Sequence, residues 1–163
     1  MQKTYVGIDP GKTGGIAILF EDGAKVIPMP DEACPEKMRE IFTGFISEVI
    51  EYKVILERPI LKPHIIFKTC PRCKTPIRTA VNQQGVITSF INYGVLIGML
   101  KAYCIPYEEI ESSKWKKAFK LTKDKKLSIS MAKQLFPQLT DVIKQKDGLA
   151  EALLIAEYGR RNL

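Results

Sequence analysis

The alternation of apolar and polar positions near the start of the chain predicts three short β-strands. Residues 4–9 and 15–20 each form one expected strand, and the glycine-rich turn PGKTGG lies between them. A third strand is expected over residues 24–28, after a turn that ends at Gly23. These segments are close in sequence and are joined by turns, so we expect an antiparallel meander.

Beyond the meander, helical and strand patterns alternate. Apolar residues recur at helical spacing over residues 35–51 and 86–103. One apolar strand is expected from Val54 to Leu56, ending at Glu57 and Arg58, and another over residues 104–110. Further helices are expected over residues 114–120, 125–136 and 147–161. This order of elements predicts an α/β fold with a mixed five-stranded sheet and helices on both faces.

Residues 59–85 follow neither pattern and are rich in proline. We therefore expect an irregular insert here, within a single domain that spans residues 1–163. An irregular segment of this length inside a compact domain is usually functional.

Composition and charge narrow the class of protein. The chain has 163 residues, of which 45% are hydrophobic and 26% are charged, as in a globular domain. It has no long apolar run and no basic, apolar leader, so we expect no membrane span and a cytoplasmic location. The net charge of +7 suits a polyanionic partner such as nucleic acid, although solubility alone would also explain it.

Four acidic residues are candidates for a metal site. Asp9 and Glu57 each end a predicted strand, and a right-handed crossover would lay those strands side by side. Asp147 and Glu151 are four residues apart and share one face of the last helix. Converging carboxylates suit Mg²⁺ or Mn²⁺, and a two-metal site of this kind cleaves phosphodiesters. Ion pairs or solvated charges would explain Glu57 or Glu151 singly, whereas a carboxylate in an apolar strand needs a partner.

The first motif has two other interpretations. GIDPGKT is similar to a phosphate-binding loop, but it has three residues before GKT where that loop needs four. Actin-like sugar kinases and ATPases also use a strand-turn-strand with an aspartate, but they need two such domains. This chain has the length for one.

Five segments, taken in order, resemble RuvC-type Holliday-junction resolvases, specifically their compact phage and prophage branch. They are GIDPGKTGGIA, VILERP, QQGVITSFINYG, SSKWKKAFKL and DGLAEALLIAEYGRR. The resemblance implies a ribonuclease-H-like fold, a homodimer, Mg²⁺ dependence and paired symmetrical nicks in four-way DNA junctions. A phage-encoded protein of this family would act in the host cytoplasm.

The resemblance also implies roles for particular residues. Asp9 and Glu57 would be ligands of two Mg²⁺ or Mn²⁺ ions, with the last ligands, Asp147 and Glu151, on the C-terminal helix. The family often places two ligands three residues apart there, whereas this chain has Gly148 three residues before Glu151. A basic residue near the scissile phosphate is also implied. Lys116 is the best match and Lys125 the second, and the alternative for both is a phosphate-positioning or solvated lysine.

Basic residues elsewhere predict the DNA-binding surface. Phosphate contacts position DNA without reading its sequence, and lysine suits them. The expected surface comprises Lys114, Lys116, Lys117, Lys120, Lys123, Lys125 and Lys126. In the insert, Arg72, Lys74 and Arg78 are expected to contact the DNA backbone or to help separate bases at the crossover.

The insert also contains a Cys-Pro-Arg-Cys motif. Cys70 and Cys73 have the spacing of half a zinc site, and a closed site needs two more ligands. His64 is one candidate, and the partner's Cys70 and the partner's Cys73 would complete a site with four cysteines. A pair of free thiols is the alternative.

Two other functions stay open from the sequence. The first is a ribonuclease-H-like nuclease that acts on flaps, other branched DNA or RNA. The second is a non-catalytic junction-binding protein. The apolar helix over residues 86–103 has enough surface for both core and dimer contacts.

Overall fold

A computed structural model describes residues 3–30, 34–48, 51–60, 66–79, 83–143 and 147–163. For residues 35, 45–48, 66–68, 77–79 and 83–85 it describes the backbone alone. Within these ranges, none of the helices combines the length and the apolar character that a bilayer crossing requires.

The described residues form a mixed five-stranded sheet in the order β3-β2-β1-β4-β7, and a separate two-stranded sheet of β5 and β6. The strands are β1 (Lys3–Asp9), β2 (Gly15–Leu19), β3 (Ala24–Pro28), β4 (Glu51–Arg58), β5 (Ile66–Thr69), β6 (Pro76–Thr79) and β7 (Tyr107–Glu111). β1, β2 and β3 pair antiparallel, whereas β4 pairs parallel with both β1 and β7. The predicted mixed sheet and its meander are confirmed.

Helices cover both faces of the large sheet, as predicted. They are α1 (Pro35–Glu48), α2 (Gln83–Ala102), α3 (Ser112–Ala118), α4 (Lys125–Leu135), α5 (Thr140–Ile143) and α6 (Asp147–Asn162), with a 3-10 turn at Pro137–Leu139. Residues of α1 and α2 pack on one face, where Met38 and Leu96 meet Ile8. The other face is covered by α3 to α6, where Trp115 and Leu153 share a core with Ile55.

The two cores follow from strand alternation, because successive side chains of a strand point to opposite faces. In β1, Val6 and Ile8 face α1 and α2. Gly7 lies between them and faces α6, where a Cβ at this position would be 2.3 Å from the Ala152 carbonyl oxygen and the Ala156 nitrogen. Asp9 follows at the same phase as Gly7. The acidic end of β1 is therefore aimed at the helix that holds Asp147 and Glu151.

The prediction that residues 59–85 form an irregular insert is partly wrong. Within it, β5 and β6 form an antiparallel hairpin with Thr69 opposite Pro76, and α2 already begins at Gln83. Proline is tolerated at the first residue of a strand in a two-stranded ribbon, so Pro76 does not prevent pairing. Residues 61–65 and 80–82, including His64, lie outside the described residues.

Several predicted boundaries also shift. β4 begins at Glu51 and not at the expected Val54, because its pairing with β1 starts with Lys3 opposite Glu51. β7 starts at Tyr107 and not at 104. The reason is a Schellman motif that ends α2: Cys104 has a φ of 54°, and Ile105 donates its N–H to the Leu100 carbonyl at 2.8 Å.

The close approach of α6 to β1 predicts a large effect of one methyl group. Gly7→Ala is expected to lower the free energy of unfolding by about 1–3 kcal/mol or more, because its Cβ would overlap the α6 backbone. Urea denaturation followed by circular dichroism measures this.

The matched control is Gly98→Ala. A Cβ at Gly98 has nothing within 4 Å, and alanine favours a helix interior over glycine by about 1 kcal/mol. We expect this control to be neutral or stabilising. Equal unfolding midpoints for the two variants would contradict the packing described here.

Candidate active site

Asp9 lies at the end of β1, where the chain enters the turn to β2. Its Oδ1 accepts a hydrogen bond of 2.9 Å from the backbone N–H of Gly11. The turn is tight: a Cβ at Gly14 would be 2.1 Å from the Asp9 carbonyl oxygen. The loop thus fixes the backbone around Asp9 and orients its carboxylate.

Glu57 is brought beside Asp9 by the parallel pairing of β4 with β1. The last paired residues are Ile8 and Leu56, so Asp9 and Glu57 are each the next residue along. Trp115, which is fully buried in the middle of α3, donates its indole N–H to Glu57 Oε2 at 2.9 Å. The Trp115 ring therefore fixes the position of the Glu57 carboxylate.

Asp147 and Glu151 come from the first turns of α6. This end of the helix packs on the β1–β2 turn so tightly that a Cβ at Gly148 would be 2.0 Å from the Thr13 carbonyl oxygen. A side chain cannot be accommodated at position 148. Position 148 therefore cannot hold an acidic residue. The acidic residue before Glu151 in this chain is Asp147.

Two lysines neutralise the acidic residues of α6. Lys116 Nζ lies 2.8 Å from Glu151 Oε1 and 4.9 Å from the centre of the Trp115 ring. Lys125 forms an ion pair with Asp147. Ser128 Oγ is a further neighbour of Glu151, at 3.5 Å from Oε1. The candidate basic residues thus contact the candidate acidic ones.

The surroundings of Asp9 and Glu57 favour the protonated forms of both carboxyl groups. Burial, together with the charge of Asp9, raises the pKa of Glu57 to about 8, although the Trp115 hydrogen bond opposes the shift. Burial also raises the pKa of Asp9 to about 6, reinforced by the charges of Glu151 and Asp147 and opposed by the Gly11 N–H. The hydrogen bond to Asp147 raises the pKa of Lys125. The four predicted carboxylates therefore interact electrostatically, and we refer to them as the acidic cluster.

The cluster suits a hard cation in its chemistry. Its donors are carboxylate oxygens, which Mg²⁺ and Mn²⁺ prefer, and its raised pKa values mark negative charge that a cation would stabilise. Among the described residues, no three His, Cys, Asp or Glu side chains converge in a geometry that could hold a metal ion. In this arrangement Lys116 and Lys125 hold the α6 carboxylates.

The other predicted DNA-binding residues lie in two places. Lys114 and Lys117 are exposed on α3, and Lys120 is exposed directly after it. Lys123 is exposed in the turn before α4, and Lys126 is exposed in α4. Arg72 and Lys74 are exposed at the tip of the β5–β6 hairpin. Arg78 lies in β6, where the structure describes the backbone alone.

Cys70 and Cys73 flank the same hairpin tip. Cys73 Sγ lies 2.8 Å from Thr75 Oγ1. Hydrogen bonds from the Thr75 side chain and backbone, and from Cys70, lower the pKa of the Cys73 thiol to about 7. The Cys70 side chain thus contributes to lowering the pKa of Cys73.

Trp115 is a residue of the candidate site that the sequence did not single out. It is the only tryptophan in the chain and lies among lysines in the predicted helix over residues 114–120. That context was available in the sequence. Its partner Glu57 is 58 residues away, and only the pairing of β4 with β7 brings the two together.

Solved structures of similar fold include a RuvC protein. RuvC from T. thermophilus, solved in complex with a Holliday junction substrate, matches over 98% of this chain and 96% of that chain, with a TM-score of 0.61. The chain has the fold of RuvC. The predicted ribonuclease-H-like fold is thus confirmed, at a sequence identity of 15%. No protein-family model matches the chain, and no curated protein matches it in sequence.

The raised pKa of Glu57 predicts how stability depends on pH. The usual value is 4.5 and the folded value is about 8, so the folded state binds the proton more tightly than the unfolded chain. This contribution to stability is complete below the usual pKa and is lost as the pH rises through about 8. In chelator, Glu57→Gln should therefore raise the urea midpoint at alkaline pH and leave it nearly unchanged at acid pH.

The control for this experiment is Glu21→Gln, an exposed glutamate in the turn between β2 and β3. It should shift the midpoint little at any pH. The indole N–H resonance of Trp115 gives a direct second readout, and it should titrate with the pKa of Glu57. Both about pH 6 and about pH 9 lie well above the usual pKa of a glutamate. A Trp115 resonance that does not change between them would therefore refute the raised pKa of Glu57.

Proposed function

We propose that this protein is a Mg²⁺-dependent, structure-selective endonuclease that resolves four-way DNA junctions by paired symmetrical nicks. The observation that supports this most directly is that Asp9 interacts electrostatically with Glu57, Asp147 and Glu151, on the fold of RuvC. The T. thermophilus protein of that fold was solved with a Holliday junction substrate.

Two Mg²⁺ or Mn²⁺ ions are proposed at the four carboxylates. When bound, such ions activate water and stabilise the leaving oxygen of a phosphodiester. The chain itself holds the carboxylates in place: the Gly11 N–H orients Asp9, and the Trp115 indole orients Glu57. A cation at Asp9 and Glu57 would favour their ionised forms, because opposite charge lowers a carboxyl pKa.

Lys116 is proposed to act at the scissile phosphate. Its ammonium group lies 2.8 Å from Glu151 and against the Trp115 ring, so it is already inside the acidic cluster. A lysine there can exchange its carboxylate partner for a phosphate oxygen as DNA enters. Lys125, which pairs with Asp147, is the second candidate for the same role.

The exposed lysines of α3 and of the turn before α4 are proposed to position the DNA backbone. The helix that holds Trp115 also carries Lys114 and Lys117. Lys123 lies just before the helix that begins at Lys125. Arg72, Lys74 and Arg78 of the hairpin are proposed as further backbone contacts. The net charge of +7 supports both surfaces.

A homodimer is proposed because a four-way junction is itself roughly two-fold. Ile87 and Ile91 on α2 support it, since they are 47% and 55% exposed while Leu96 of the same helix is buried. Apolar residues on both faces of one helix are typical of a helix that contacts the core and a second chain.

The decisive test compares substrates and one substitution. Asp9→Asn keeps the size of the side chain but removes its charge, and it should lower Mg²⁺-dependent nicking by on the order of 10²–10³-fold or more. Labelled four-way junction, flap and linear duplex are each incubated with Mg²⁺ or with chelator. Paired nicks confined to the junction, and lost in chelator, are the expected result.

Asp22→Asn, an exposed substitution in the turn between β2 and β3, is the matched control and should nick normally. Equal cutting of the flap would favour the broader branched-DNA nuclease. Tight binding of the junction without any cutting would favour the non-catalytic alternative and would contradict the proposed chemistry.

The proposed DNA surface predicts a specific dependence on salt. Lys117→Ala should weaken junction binding equally for different sequences and should reduce the slope of log K against log[salt] by about 1. Fluorescence anisotropy in Ca²⁺ measures this without cleavage. Lys37→Ala is the control, because Lys37 is exposed on α1 on the opposite face of the sheet. If the slope of log K against log[salt] is unchanged in Lys117→Ala, Lys117 does not contact the DNA backbone.

A further inference from the structure

The tip of the β5–β6 hairpin is a compact turn built around two cysteines. The Cys70 N–H donates to the Thr75 carbonyl at 2.8 Å, and the Lys74 N–H donates to the Cys70 carbonyl at 3.0 Å. Lys74 adopts a φ of 61°, in the left-handed region, which lets the chain reverse directly after Cys73. Cys70 and Cys73 therefore lie on the same side of one turn.

Both sulfur atoms belong to this turn, and the Cys73 Sγ lies 2.8 Å from Thr75 Oγ1. The Cys70 thiol and the Thr75 N–H are among the groups that lower the pKa of the Cys73 thiol. Cys73 is exposed and Cys70 is half-buried. Two adjacent sulfurs with N–H donors around them match one half of a tetrahedral thiolate site, in which the Cys-x-x-Cys spacing is the usual one.

We propose that this hairpin tip is half of a Zn²⁺ site, and that two copies of the chain complete it with four cysteines. Structural zinc sites are closed by four ligands, and one hairpin supplies two. Among the described residues, no third His, Cys, Asp or Glu joins the pair. The partner's Cys70 and the partner's Cys73 are the ligands that this geometry can add without rearranging the turn.

The charges around the tip suit that assembly. Zn²⁺ with four thiolates has a net charge of −2, because binding releases four thiol protons to solvent. Each copy places Arg72 and Lys74, both exposed, on the same turn as the sulfurs. Two tips would therefore surround the anionic centre with four positive charges. Without the metal, those charges would repel one another and oppose the contact between tips.

The proposal is independent of the nuclease chemistry, since none of its residues belongs to the acidic cluster. It is tested without DNA on the full-length chain, purified in reducing buffer and titrated with Zn²⁺. We expect one Zn²⁺ per two chains by elemental analysis. We also expect a Zn²⁺-dependent gain in the mass measured by light scattering, or a Zn²⁺-tightened dimer if the chain already pairs.

Substitution of Co²⁺ reports the ligands directly. Four thiolates around Co²⁺ give intense tetrahedral visible bands, which differ from the bands of a site with two thiolates. Cys70→Ser and Cys73→Ser should each abolish stoichiometric metal binding. Cys104→Ser is the matched control, because Cys104 is also an exposed free thiol. It should bind metal normally.

Three outcomes would overturn the proposal. One is a ratio of one Zn²⁺ per chain, and another is a two-thiolate cobalt spectrum, since both contradict a shared site. The third is metal-free protein in which Cys70 and Cys73 form a disulfide and Zn²⁺ does not bind after reduction. None of these outcomes bears on the Asp9→Asn cleavage assay, so the two proposals can fail separately.

Discussion

The close packing of α6 on β1 is the constraint on which the candidate site depends. Gly7 and Gly148 leave no room for a Cβ, so the helix backbone lies directly on the strand and on the turn that follows it. Because β1 ends at Asp9 and α6 begins at Asp147, this contact brings acidic residues from distant parts of the chain together. A larger residue at either glycine would push the helix away and separate them.

Bringing four carboxylates together is unfavourable, and the surrounding residues show how the fold tolerates it. Lys116 and Lys125 pair with the two α6 acids, which reduces the charge of the cluster. Asp9 and Glu57 keep raised pKa values, with burial as the main cause. A fold selected for stability alone would replace such residues by apolar ones. The retained repulsion is typical of a functional site.

The sequence predicted much of this arrangement for identifiable reasons. Strand alternation and helical periodicity are local signals, and they predicted the five-stranded sheet and the helices on both of its faces. The hairpin was missed because each strand has only four residues and proline lies beside or within them. The Trp115 contact was missed because it depends on which strands become neighbours, and periodicity holds no information on that pairing.

Position 148 explains why the chain departs from the acidic pattern of the family that it resembles. A carboxylate three residues before Glu151 would need a Cβ within 2.0 Å of the Thr13 carbonyl oxygen. Glycine at this position lets the turn PGKTGG approach the start of α6. The acidic residue of this chain lies one position earlier, at Asp147. There it is still close enough for its charge to raise the pKa of Asp9. The departure in sequence therefore preserves an acidic residue at this end of the sheet while allowing a tighter contact between the turn and the helix.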